Sequence, residues 1–239
     1  MNPKLSIIIP CYNEEKNIPI LLERLNDIVE NYMEVIVVDN GSTDNTTTLL
    51  VDLINKINNP SIKSIRVKKN IGYGHGIMKG LYSAEGQIVS WTHADLQTDI
   101  NDVIIGFEKL IKNNKVNRKM VKGKRRNRPL IDLILTSAMS IISSVILRQR
   151  LSDINAQPKI FHRDLLKKMN NPPNDFSLDL YLLYIAKINK IEILEIPVYF
   201  NERLYGEASG GGGSSFKTKI KLISKTFSYI IQIRKNVIK

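Results

Sequence analysis

Four short apolar runs, Leu5–Ile9, Val35–Val38, Ile62–Val67 and Gln87–Thr92, are each followed within a few residues by a helical pattern. Such an alternation of strand and helix, with short connections, restricts the chain to an α/β fold with a mostly parallel, doubly wound sheet flanked by helices. Val35–Val38 is continuous and β-branched, as a strand buried on both faces must be. The segment from Asn17 to Glu30 places Ile18, Leu21, Leu22, Leu25, Ile28 and Val29 on one helical face, and Asn45–Ile57 repeats the spacing.

Ligands of open α/β sheets bind just outside the carboxyl ends of the strands. The polar groups at those ends are therefore the first candidates for chemistry. The fourth run ends in Trp91-Thr92-His93-Ala94-Asp95-Leu96-Gln97-Thr98-Asp99. A strand-end acid such as Asp95 can hold a divalent cation against a diphosphate, or it can simply cap the helix expected over about 101–113. Asp99 reads as a residue of that helix start. The second run ends in Asp39-Asn40-Gly41-Ser42-Thr43-Asp44, where Asp44 suits a ligand-site residue and an N-cap equally well. The glycines of Asn70-Ile71-Gly72-Tyr73-Gly74-His75-Gly76 fail the dinucleotide spacing G-x-G-x-x-G, because residue 77 is isoleucine. They read as a strand-to-helix turn with close backbone packing.

A formal net charge of +12 allows nucleic acid, an anionic membrane or phosphorylated substrates as partners. The charge gathers in Lys119–Arg128 and Lys217–Lys239, without the aromatic ladder that stacks single-stranded bases. No nucleic-acid partner is therefore expected; membrane or phosphate is. The single cysteine, Cys11, excludes an internal disulfide and fits a reducing compartment. No secretory signal is expected from the first residues.

Taken in order, these pieces resemble a family 2 glycosyltransferase with the GT-A fold, and within it the dolichyl- and polyprenyl-phosphate sugar synthases. The resemblance is carried by Ile9-Pro10-Cys11-Tyr12-Asn13-Glu14-Glu15, Val37-Val38-Asp39-Asn40-Gly41-Ser42-Thr43-Asp44-Asn45-Thr46, Asn70-Ile71-Gly72 and Ala94-Asp95-Leu96-Gln97. Further matches lie in 153–163, 176–179 and 203–209, so it spans most of the chain.

It implies a GT-A domain over 1–215, with a nucleotide-binding half (1–100) and an acceptor half (101–215). A basic amphipathic helix over 216–239 would follow. Pro10, Tyr12, Glu14, Asn70 and Gly72 would line the nucleotide pocket, and Asp39 would accept a hydrogen bond from the base. Asp95 and Gln97 would hold Mn²⁺ or Mg²⁺ and the diphosphate. His93 stands where the family usually has an acid. It is open as a metal ligand, as a direct donor to the diphosphate, or as a bystander, and an inactive enzyme is a further alternative.

Lys122–Pro129 reads as a dense cationic loop, a solvated surface if it lies far from the cleft; by the resemblance Arg125 would hold phosphate there, together with Arg203 and Ser209 further on. The apolar segment Leu130–Leu147 carries Asp132, Thr136, Ser140, Ser143 and Ser144 as a polar stripe, with Arg128, Arg148 and Arg150 at its ends. This predicts an interfacial membrane helix over 129–147; docking on the protein's own core is the alternative. The same choice holds for the helix from Phe216 to about Lys235, which can also pair with a membrane-protein partner.

Asp179, at the start of an expected amphipathic helix, is the general base if the acceptor is a sugar hydroxyl, and otherwise a capping or salt-bridging residue. A lipid phosphate needs no such base. Gly210–Gly213 reads as a lid or as a linker.

The resemblance thus implies an inverting, metal-dependent transfer from a nucleoside-diphosphate sugar to a polyprenyl phosphate, at the cytoplasmic face of a membrane. The alternatives are extension of a surface glycan and a non-catalytic scaffold that binds nucleotide sugar.

Overall fold

The computed structural model describes residues 4–112, 114–200 and 216–237. Arg203, Ser209 and Gly210–Gly213 lie outside the described residues. The elements in chain order are β1 (Leu5–Cys11), α1 (Ile18–Ile28), β2 (Met33–Asp39), α2 (Thr46–Ile57), β3 (Ile62–Arg66), α3 (Tyr73–Ser83), β4 (Ile88–Trp91), α4 (Asn101–Ile111), β5 (Lys119–Arg126), α5 (Leu130–Leu147), β6 (Lys159–His162), α6 (Ser177–Ile188), β7 (Glu192–Tyr199) and α7 (Phe216–Val237).

Among the described residues the strands form one sheet in the order β3-β2-β1-β4-β6-β5-β7. β1 to β4 pair in parallel, β6 runs antiparallel to both β4 and β5, and β7 pairs in parallel with β5. Reversing β6 restores β5 and β7 to the direction of β1–β4. Six strands therefore end at the same edge.

Alternate residues of the central strands feed two cores. Leu5, Ile7, Ile9, Val35 and Val37 pack with α1, α2 and α4. Ile8, Ile36, Val38, Val89 and Trp91 pack with α3, α6 and the inner faces of α5 and α7.

The expected strand Leu5–Ile9 runs on through Pro10 to Cys11. Ile8 and Pro10 direct their backbone groups to the same side, toward β4, and the Ile8 carbonyl accepts from Thr92 N at 3.1 Å. The β4 pairing stops at Ile8. The N–H that proline lacks therefore faces a side from which the neighbour has already turned away.

Three other expectations change. The cationic loop at 122–129 is in large part β5. Its lysines are tolerated in a strand because β7 places Glu192 and Glu195 beside Lys119, Lys122 and Lys124. At Gly123 any Cβ would lie 2.0 Å from the Gln157 carbonyl oxygen, so the loop after α5 crosses there only over glycine. Secondly, α6 is not amphipathic: Ser177 to Ala186 are all buried, because the helix is covered on every side. Thirdly, Gly74 and Gly76 lie inside α3, and Gly72 alone makes the turn, at φ 136°.

A Cβ at Gly72 would stand 2.2 Å from the Asn174 carbonyl oxygen. We expect Gly72→Ala to lose at least about 2 kcal/mol of stability, from backbone strain together with this clash. Thermal unfolding of the purified variant measures it.

α5 turns its polar stripe inward. Ser140, Ser143 and Leu147 are buried, whereas Leu130, Ile131, Leu133, Ile134, Ile141 and Val145 are exposed, Val145 at 72%. It is long and apolar enough to cross a membrane by length and composition. α7 packs against it and buries Ile230 and Ile233.

Candidate active site

The loops after β1 and β2 are laced together at the common edge. Asn13 N donates to Ser42 Oγ (3.0 Å), Glu14 N to Thr46 Oγ1 (2.9 Å), Glu15 N to Asp44 Oδ2 (3.3 Å) and Thr43 N to Asn13 Oδ1 (2.8 Å). Asp44 also accepts from Thr46 N at 3.0 Å, so it organises the start of α2 without being its N-cap residue, which is Asn45. Asp39, 2% exposed at the tip of β2, accepts from Ser42 N at 2.8 Å and from the Thr47 hydroxyl, with Arg66 Nε 3.5 Å away. Beside it, Pro10 is half-buried and Tyr12 is 40% exposed.

Asn70 and Gly72 complete this wall from below. Asn70 Oδ1 accepts from Gly72 N (3.0 Å) and Asn40 Nδ2 donates to the Gly72 carbonyl (2.9 Å). Their visible work is to shape the loop.

Beyond β4 the chain folds back on itself. Leu96 takes φ 59°, Asp95 Oδ1 accepts from Gln97 N at 3.2 Å, and Thr92 and Thr98 hydroxyls meet at 3.1 Å. Asp95 and Gln97 are each 8% exposed. It is Asp99, not Asp95, that serves the start of α4, accepting from Asn101 N at 2.9 Å. His93 is half-buried, its ring 5.8 Å from that of Tyr73, which in turn stacks on Phe176 at 4.7 Å.

Among the described residues no three His, Cys, Asp or Glu side chains form a metal site by themselves. Asp95, Gln97 and His93 offer two oxygen donors and an imidazole, donor types that serve a divalent ion whose shell is completed by phosphate oxygens.

Below these groups lies a buried pair. Lys159, fully buried, sits 3.0 Å from Asp179 Oδ1 and donates to the carbonyls of Ile154 (2.9 Å) and Ala156 (2.7 Å). Gln157 Nε2 donates to the same Asp179 oxygen at 2.8 Å and to the Tyr73 hydroxyl at 3.3 Å. Burial lowers the Lys159 ammonium to about 8, with Asp179 opposing the shift. Burial, then the charges of Asp179 and Asp95, hold the Tyr73 phenol well above its ordinary range. Arg125 does not stand open to solvent: its backbone N donates to Asp153 Oδ2 (2.7 Å) and its guanidinium grips Asp153 Oδ1.

The sequence model for the family described as Glycosyl transferase family 2 matches residues 6–169. The chain belongs to glycosyl transferase family 2. A dolichyl-phosphate beta-glucosyltransferase, ALG5D, of Trichomonas vaginalis is 32% identical over 217 residues, covering 83% of this chain and 66% of that protein. An undecaprenyl-phosphate 4-deoxy-4-formamido-L-arabinose transferase of Photorhabdus laumondii is 26% identical over 212 residues, covering 86% of this chain and 62% of that protein. The chain thus spans somewhat less than two thirds of these two relatives.

Among solved structures, glucosyl-3-phosphoglycerate synthase from Mycobacterium tuberculosis, in complex with Mn²⁺, uridine diphosphate and phosphoglyceric acid, superposes with a TM-score of 0.74. The identity is 17%, over 98% of this chain and 79% of that one. At that identity the likeness establishes the GT-A fold and nothing finer.

Within this family 2 domain the structure gathers Pro10, Tyr12, Glu14, Asp39, Asn70, Gly72, His93, Asp95 and Gln97 at one edge of the sheet, and sets Asp179 deeper, against Lys159. Sequence reasoning placed Gln157 and Lys159 in a matching segment but gave neither of them, nor Tyr73, a role of its own. A lysine at the start of a four-residue strand carries no periodic signal, and only burial beside an acid marks it.

A half-buried acid stands in the first turn of α4. Asp102 Oδ2 is buried without a hydrogen-bond partner among the described residues, and burial, followed by the charge of Asp99, raises the carboxyl to about 6. The fold therefore holds a proton there that the unfolded chain, titrating near 3.8, has lost. The stability this provides is complete below about 4 and disappears as the pH rises through 6. We expect Asp102→Asn to be more stable than the parent by about 1–2 kcal/mol at neutral pH, after discounting for partial exposure. The gap should close toward pH 4, as read by denaturant unfolding across that range.

Proposed function

We propose that this domain transfers a sugar from a nucleoside-diphosphate donor to a polyprenyl phosphate at a membrane surface, with inversion at the anomeric carbon. Family membership and the crowding of Pro10, Tyr12, Asp39, Asp95 and Gln97 at the carboxyl edge of the sheet support the donor half. A base would rest between Tyr12 and Asp39, whose carboxylate would accept from a ring N–H. When bound, a divalent ion held by Asp95, Gln97 and His93 would neutralise the departing diphosphate. The solved neighbour carries Mn²⁺ and uridine diphosphate.

The observation that carries the acceptor assignment is the state of Asp179. Its Oδ1 is engaged by Lys159 and Gln157, and the residue is 1% exposed, which suits a positioning group better than a base that must reach a hydroxyl. A phosphate acceptor is already anionic. One of its oxygens attacks the anomeric carbon from the face opposite the diphosphate, the sugar–diphosphate C–O bond breaks, and no proton has to move. Both relatives are named for polyprenyl-phosphate chemistry. The outward apolar face of α5, with Arg128 and Arg148 at its ends, supports an interfacial location on a membrane, and we propose the cytoplasmic side for it.

The test is to incubate the purified protein with UDP- and GDP-sugars, Mn²⁺ and undecaprenyl phosphate in detergent, and to follow sugar-linked lipid by mass spectrometry. We expect one donor class to yield a lipid-phosphate sugar of inverted anomeric configuration, and chelator to stop the reaction. Transfer to a glycan hydroxyl with none to the lipid would overturn the acceptor assignment.

A further inference from the structure

On the α6 side of the sheet, where β5, β7, α6 and the turn after α5 meet, lies a cavity of about 300 Å³. Lys122, Lys124, Arg150 and Lys187 line it, with Glu195 as the acid among them. Glu195 is already fully engaged: its carboxylate takes Lys122 Nζ at 3.1 Å, Lys124 Nζ at 3.0 Å and the Ser152 hydroxyl at 2.9 Å. Arg150 and Lys187 have no carboxylate partner among the described residues.

Lys122, 2% exposed, is held there by the fold. The turn carrying Arg150 is folded onto the last turn of α5 by Ser144, whose Oγ accepts from Leu151 N at 2.9 Å. Lys187 lies eight residues along α6 from Asp179, roughly 12 Å at helical rise, so the Lys187 end of the cavity is remote from the Lys159–Asp179 pair.

We propose that this cavity is a second anion site, built for a phosphate ester. Four cations around one committed carboxylate leave an excess of positive charge in a concave space in which Lys122 is buried and Lys124 and Arg150 reach solvent. Ammonium and guanidinium donors converging in that way suit the oxygens of a phosphate group. Burial already lowers the Lys122 ammonium, with Glu195 opposing the shift, and an incoming anion would relieve that cost. The cavity opens beside the C-terminal end of α5, whose outer face is apolar. A membrane phospholipid headgroup and a soluble phosphate share the required chemistry.

The inference does not depend on sugar transfer, and its test keeps the two apart. Arg150→Gln/Lys187→Gln is compared with the parent and with Lys56→Gln/Lys79→Gln, which removes the same charge from remote helices. Inorganic phosphate and glycerol phosphate should raise the melting temperature of the parent and of the remote variant. The cavity variant should need at least about tenfold more of either for the same shift, since the loss of even one of its two charge-assisted contacts is on that scale. Stabilisation by UDP with Mn²⁺ should be equal in all three, so a failure of the donor site shows separately.

Co-sedimentation with phosphatidylcholine vesicles containing phosphatidylglycerol names the source of the phosphate. Binding lost only in the cavity variant indicates the lipid headgroup; binding unchanged, with the phosphate response lost, indicates a soluble ligand. No response to phosphate in the parent, or equal losses in both variants, would overturn the site.

Discussion

Replacing Asp95 by asparagine should lower sugar transfer by about 10³-fold, the scale seen when one preorganised electrostatic group is removed from an active site. The fold should survive. Asp95 sits in a turn set by the left-handed Leu96 and by the meeting of Thr92 and Thr98, and asparagine keeps the shape of the side chain and its Oδ1 acceptor for Gln97 N. What is lost is the negative charge that would hold a cation against the diphosphate. Nucleotide binding should report the same loss without any turnover. At about 100 times its dissociation constant a nucleoside diphosphate with Mn²⁺ stabilises its receptor by roughly 2.7 kcal/mol, and the variant should lose most of that shift. Full activity in Asp95→Asn would move the donor site away from this edge.

The second large effect is on stability. Lys159→Met should cost about 3–5 kcal/mol, because it leaves the Asp179 carboxylate buried without its cation. It also removes the donor that ties the Ile154 and Ala156 carbonyls together, so the loop bearing Gln157 loses its anchor. Lys159→Met/Asp179→Leu should be more stable than the single variant, since the uncompensated charge goes with the second substitution. Denaturant unfolding of the four proteins of this cycle measures the coupling. If the single variant loses less than about 1 kcal/mol, the pair is not what holds this part of the fold. A positioning role for Asp179 further predicts that Asp179→Asn retains donor-induced stabilisation.

The first hundred residues were legible because their signals are local. Continuous β-branched runs such as Val35–Val38, followed by helices with one apolar face, specify parallel strands and the edge at which they end. That is enough to find Asp39 and Asp95 and to group them. α5 was legible in length and in its polar stripe, which periodicity alone exposes. The direction in which that stripe faces was not, because a stripe of serines packs inward only when a neighbour, here α7 and the core beneath it, offers a place for it.

The acceptor half depended on contacts distant in sequence. β5 looked like a solvated cationic loop until β7 brought Glu192 and Glu195 alongside it. β6 is four residues long, too short for a pattern, and its reversed direction is a property of its neighbours. Its pairing sets Lys159 directly across from Lys122, two buried lysines each answered by a different acid. By itself the sequence determined the α/β class, the parallel order of the first strands and the strand-end acids, since each follows from spacing within about a dozen residues. Only the tertiary structure decided which charges are buried, which acid is paired and which face of α5 looks outward. Those depend on residues up to about a hundred positions apart coming to share the same low-dielectric space.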